Sequence, residues 1–170
     1  MRLLAALVAA RILVAVPTAS AEHHRTMFGA TGLANATALI IRHAENPESG
    51  PGLSPAGDER ARAYVRYFQP FMLGREQLRL DTLVTAADGR RSYRSRLTLE
   101  PLSHALRIPI QQPFADHDVR GLATWLGQGH AGRTILIAWH HGELPSLISD
   151  LGDAPARKLL GDAAQYVWRA

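Results

Sequence analysis

Arg42-His43-Ala44-Glu45 follows directly on the apolar run Ala38-Leu39-Ile40-Ile41. Four apolar residues, two of them β-branched, read as a buried strand. The end of that strand therefore carries a permanent cation and an imidazole, which is a nucleophile when neutral. Far along the chain a second apolar run, Thr134-Ile135-Leu136-Ile137-Ala138-Trp139, ends at His140-His141. In a parallel sheet both strand ends point the same way, and open α/β folds bind ligands at that carboxyl edge. Arg94, near the start of a helix expected after the strand Leu80 to Thr85, is a third candidate, because helix N-termini favour anions. Two arginines, two histidines and helix starts on one rim describe a phosphate pocket. In such a pocket one imidazole attacks phosphorus, while arginine forks and the second histidine stabilise charge on the equatorial oxygens.

The elements that must position these groups follow from patterning. The loop Asn46-Pro47-Glu48-Ser49-Gly50-Pro51-Gly52 has turn chemistry throughout. Ser54-Pro55 then reads as an N-cap and first helical residue. Ala61, Tyr64, Val65 and Phe68 recur at helical spacing, and Pro70 closes that helix. Arg60, Arg62 and Arg66 between them are read as a solvated face. A helix is expected over Arg90 to Ala105, kinked or shortened by Pro101. Ile108-Pro109-Ile110 reads as a short edge strand, Val119 to Leu126 as a helix capped by Asp116 or Asp118, and Pro145 to Leu151 as a helix opening with proline. Strands alternating with helices predict an α/β three-layer sandwich, with a largely parallel central sheet and helices on both faces.

Composition narrows the function. Met1-Arg2, the mostly apolar stretch Leu3 to Val16 and Ala19-Ser20-Ala21 form the pattern of a secretory signal peptide over residues 1–21, with Arg11 as a blemish. The predicted consequence is a periplasmic or secreted protein without stable membrane insertion after cleavage. Residues 22–35 read as a mobile leader and 36–170 as a single domain. The chain has no cysteine, which excludes thiol catalysis, Cys-ligated zinc and iron–sulfur chemistry. Its formal charge of +4 falls to +2 when Arg2 and Arg11 leave with the signal peptide, too mild to argue for nucleic acid. A metal at His140-His141 is disfavoured, since no carboxylate or cysteine stands beside them at ligand spacing.

Taken in order, these motifs resemble the histidine phosphatase superfamily, the phosphoglycerate-mutase-like fold. The family's Arg-His-Gly/Ala motif is matched by Arg42-His43-Ala44, and its Leu-Thr/Ser-x-x-Gly-x-x-x-Ala helix start by Leu53-Ser54-Pro55-Ala56-Gly57-Asp58-Glu59-Arg60-Ala61. An Arg with Thr four residues on is matched by Arg94 and Thr98, and an apolar strand ending in Gly-His with proline five residues beyond by Thr134 to Trp139, His140 and Pro145. The resemblance covers about Ala38 to Gly152. It implies a phosphohydrolase in which His43 becomes phosphorylated, Arg42, Arg94 and His140 hold the phosphoryl oxygens, and no metal or organic cofactor takes part. The implied substrate is a small-molecule or exposed phosphoester. Thr98 favours Arg94 over Arg90, Arg91 and Arg96, which are read as solvated, and Pro145 favours His140 over His141.

Two departures stand out. Many members carry a carboxylate directly after the second histidine or after the Arg-Thr helix, to protonate the leaving alkoxide. Here His141 stands in the first place, and Asp116 or Asp118 lies at about the right distance for the second; Glu143 is a further candidate. Relatives also continue past the last helix into another strand, whereas Tyr166-Val167-Trp168 looks like the beginning of one and the sequence ends at Ala170. The rival to the enzyme is a catalytically weak or inactive phosphate-binding or interaction module on the same fold.

Overall fold

A computed structural model describes residues 35–151 and, as backbone, 165–169. The expected signal peptide and all of the leader but Asn35 lie outside the described residues. Strand β1 (Thr37–Arg42) and strand β6 (Thr134–Trp139) fall where the apolar runs place them. They lie side by side in a five-stranded sheet of order β5-β4-β6-β1-β7, with β4 (Thr82–Thr85), β5 (Ile110–Gln111) and β7 (Gln165–Arg169). The first four positions in that order are parallel, and β7 runs antiparallel along the free side of β1, from Thr37 to Ile41.

Alternation along the central strands sorts the core into two layers. Leu39, Ile41, Leu83, Leu136 and Ala138 face one side, with Tyr64 of helix α1 (Pro55–Tyr67), Phe68 at its C-cap, and Leu99 and Leu102 of helix α2 (Arg94–Leu106). Ala38, Ile40, Val84, Ile135, Ile137 and Trp139 face the other, against Leu122 and Leu126 of α3 (Val119–Leu126) and Leu147 and Ile148 of α4 (Leu144–Asp150). Both faces of each central strand are buried, which is why those strands read as unbroken apolar runs rather than as alternating ones. The fold is the expected α/β sandwich. No helix among the described residues is long and apolar enough to cross a membrane.

Local chemistry sets the helix starts. Ser54 caps α1 by accepting the Gly57 N–H at 3.1 Å, and Pro55 opens it. Asp118, not Asp116, caps α3, accepting the Gly121 N–H at 3.0 Å. Helix α2 begins four residues later than expected, at Arg94, because Gly89 and Ser92 pair with each other and fold the preceding residues into a tight turn. Pro101 does not shorten this helix, which continues to Leu106. The expected edge strand shifts to Ile110–Gln111; Pro109, having no N–H, stays outside the ladder. A small hairpin of β2 (Phe71–Leu73) and β3 (Glu76–Leu78) was not foreseen from sequence. Its strands of three residues are too short to show a period.

Candidate active site

Strand register brings the two histidines together. Arg42 pairs with Trp139 across the parallel ladder, and the ladder extends one bond further, from His43 N–H to the Trp139 carbonyl at 3.0 Å. His43 and His140 each follow the last residue of their strand. Their ring centroids are consequently 5.0 Å apart in an edge-on arrangement, and the His141 ring lies 6.2 Å from His43. His140 is half-buried and nearer to His43, whereas His141 is exposed.

His43 is 3% exposed. Its Nδ1 lies 2.8 Å from the Ala44 carbonyl oxygen. A carbonyl can only accept, so Nδ1 carries the proton and Nε2 keeps its lone pair. Burial pushes the imidazole down to about 4, against the pull of the Ala44 hydrogen bond and with help from His140, Arg94 and Arg42. Desolvation penalises the imidazolium and the neighbouring positive charges repel it. A neutral ring with one nitrogen anchored and the other free is the protonation state a nucleophile needs.

The loop that holds His43 is clamped from two sides. Thr98, fully buried in α2, accepts the Ala44 N–H at 2.8 Å and donates to the Arg94 carbonyl at 2.7 Å. The Arg-Thr spacing of four residues therefore has a structural meaning: one hydroxyl ties the first turn of α2, with Arg94, to the backbone beside His43. From the other side the start of α1 presses on Glu45. Ser54 N–H donates to the Glu45 carbonyl at 2.9 Å, and Arg60 pairs with the Glu45 carboxylate. A Cβ added at Gly57 would sit 2.7 Å from the Glu45 carbonyl oxygen and 3.0 Å from its nitrogen. Only glycine permits that approach.

Arg94 is half-buried, and its Nε is buried without a hydrogen-bond partner among the described residues. Arg42 leaves the same strand end as His43, and both guanidiniums are near enough to bear on its charge. Asp116 stands on the loop before α3. Burial acts to raise its carboxyl, but the hydrogen bonds from His117 and the charge of His140 outweigh it and hold the group below the usual carboxylate range. The reciprocal influence appears at His140, where burial, Arg94 and His141 lower the imidazole while Asp116 and Glu143 oppose them. The Trp139 indole fixes this loop by donating to the Asp116 carbonyl at 2.8 Å. Asp118, the competing acid, is engaged as the α3 cap. Sequence reasoning missed three supporting parts: the hydroxyl of Thr98, the indole N–H of Trp139 and the closeness required at Gly57. Of these, only the Trp139 indole could have been anticipated, as a buried donor that must find an acceptor at the end of a strand.

No protein-family model matches the sequence, and a search of curated proteins finds no significant relative. Solved structures do match. The protein histidine phosphatase SixA complexed with tungstate aligns with a TM-score of 0.52 and 17% identity, over 77% of this chain and 86% of that one. Mycobacterial hydrolase 1 aligns with a TM-score of 0.50 and 14% identity, over 79% of this chain and 88% of that one. The chain therefore shares the fold of these two proteins, an α/β sandwich around a largely parallel sheet.

Proposed function

We propose that the protein is a phosphohydrolase that acts on a phosphate ester through a covalent phosphohistidine. The observation that carries this reading is the state of His43: buried, neutral, anchored through Nδ1 and set 5.0 Å from the His140 ring in the neighbourhood of Arg42 and Arg94. Nε2 attacks phosphorus as the bond to the leaving oxygen breaks. Arg42, Arg94 and His140 stabilise the charge on the three equatorial oxygens. The leaving oxygen takes its electron pair and a proton from Asp116. Water then attacks the phosphohistidine and gives a proton back to Asp116; the phosphorus–nitrogen bond breaks, releasing phosphate and neutral His43. No step draws on a metal or organic cofactor.

Asp116 is ionised at neutral pH, its carboxyl being held low, yet a bound phosphoryl group changes its surroundings. A dianion nearby raises the affinity of a carboxylate for a proton, so substrate binding itself loads the acid. The fold supports the reaction class, since a solved neighbour named as a protein histidine phosphatase holds tungstate, a tetrahedral oxyanion like phosphate. With export expected from the signal peptide, the substrate is an extracytoplasmic phosphoester and not a cytosolic intermediate of a mutase.

Reaction with labelled substrate stopped by alkaline denaturation, followed by peptide mass spectrometry at alkaline pH, tests the intermediate. Label on His43, and no turnover in His43→Ala, is the expected result. Label on any other residue overturns the mechanism, and phosphate binding with no turnover in the unaltered protein makes it a binding module.

A further inference from the structure

Between β4 and α2 stand two arginines that the reaction above does not use. Gly89 N–H donates to the Ser92 carbonyl at 3.0 Å and Ser92 N–H to that of Gly89 at 3.2 Å, so Arg90 and Arg91 are the central residues of a tight turn. The turn is fastened at its base. Ala87 N–H bonds the Phe114 carbonyl at 2.8 Å, and Tyr93 N–H bonds that of Pro51 at 2.9 Å. Asp88 accepts from Arg96 Nε at 2.7 Å and from the Gln112 amide at 3.2 Å. Arg90 and Arg91 are both exposed, and among the described residues neither is in an ion pair. The turn's own acid cannot neutralise them, because Asp88 is taken by Arg96, which also holds Glu100. Arg91 precedes Arg94 by three residues, which keeps their Cα atoms within about 11 Å of each other.

We propose that Arg90 and Arg91 form a second anion subsite beside the phosphate pocket, selecting substrates that carry another anionic group besides the phosphoryl group removed. The proposal rests on Arg94 belonging to the pocket described above. Guanidinium groups bind phosphate and carboxylate through paired N–H donors and stay charged at every accessible pH. A turn fastened by backbone bonds presents them with little backbone ordering cost on binding. The same anion can be a second phosphate on a small molecule or an acidic side chain flanking a phosphorylated residue. Because the subsite is exposed, its contribution falls with salt.

The test compares the full chain with its Arg90→Ala/Arg91→Ala double variant. Calorimetry measures binding of orthophosphate and pyrophosphate, and steady-state kinetics compares two phosphopeptides that differ only in acidic or neutral flanks. In the unaltered protein pyrophosphate, the acid-flanked peptide or both should show a roughly five- to tenfold advantage in Kd or KM. The double variant should lose that advantage while orthophosphate binding stays the same. Whichever probe shows the effect identifies the source of the second anion. An advantage that survives in the double variant, or none in the unaltered protein, overturns the subsite. Absence of orthophosphate binding in the unaltered protein overturns the pocket itself, a different result.

Discussion

His43 sets the pH behaviour. Its imidazole sits at about 4, below the ordinary 6.5. The proposed nucleophile is therefore neutral throughout the physiological range, and the acid limb of kcat/KM that belongs to it should fall near pH 4, measurable with an aryl phosphate. The same shift links to stability. Between about 4 and 6.5 the unfolded chain binds the proton that the folded chain refuses, so stability rises with pH across that window and is lost on acidification through it. The full effect is of order 3 kcal/mol. Denaturant titrations at pH 7 and pH 4.5 should show a clearly smaller drop for His43→Asn than for the unaltered chain. Asp116→Asn should slow alkyl phosphates far more than aryl phosphates, because only a poor leaving group needs the proton. Equal slowing of both would remove Asp116 as the acid.

At the level of elements, two clamps hold the loop that carries His43. Thr98→Val removes the acceptor of the buried Ala44 N–H and the donor to the Arg94 carbonyl. A buried N–H left unpaired costs about 1–3 kcal/mol. Thermal unfolding should register that loss, and kcat should fall with it, whereas Thr98→Ser should restore most of both. Gly57→Ala places a methyl 2.7 Å from the Glu45 carbonyl oxygen, so α1 or the nucleophile loop must shift. The cost is about 1–3 kcal/mol, and a displaced Arg42-His43 loop should cut turnover by more than tenfold, since small misplacements of reacting groups are expensive. Activity at the level of the unaltered chain would show that the loop tolerates movement. These parts were only half legible in the sequence. Arg94 and Thr98 were visible as a spacing, but that the threonine hydroxyl reaches Ala44 depends on how α2 lies against the end of β1.

The whole molecule keeps the site at the rim of one sheet. Strand β1, which delivers Arg42 and His43, is flanked by β6 on one side and by β7 on the other. A chain ending at residue 164 would uncover β1 and turn it into an edge strand. Exposed edges lose stability and invite pairing between molecules, so lowered thermal stability and association in size-exclusion chromatography are the expected outcomes. An unaltered monomeric profile and melting temperature would show that β7 contributes nothing to the sheet in solution.

Sequence by itself determined the elements and the chemical inventory. Two apolar runs could only be buried strands, Ser54-Pro55 had to open a helix, and a chain without cysteine left imidazole as the available nucleophile at the strand ends. Those are local facts, dictated by periodicity, capping and side-chain chemistry. Which groups meet was not local. His43 and His140 are far apart along the chain, and they face each other only because β1 and β6 are neighbours in register, Arg42 against Trp139. A slip of one residue in that ladder would reverse every side chain between the two faces of the sheet. The same reasoning divides the acids: Asp116 and Asp118 are two residues apart and equal as caps on paper. The position of α3 makes Asp118 the cap, while the Trp139 indole holds the backbone of Asp116 beside the pocket. Tertiary packing decided that, because burial and hydrogen-bond partners exist only once distant segments have come together.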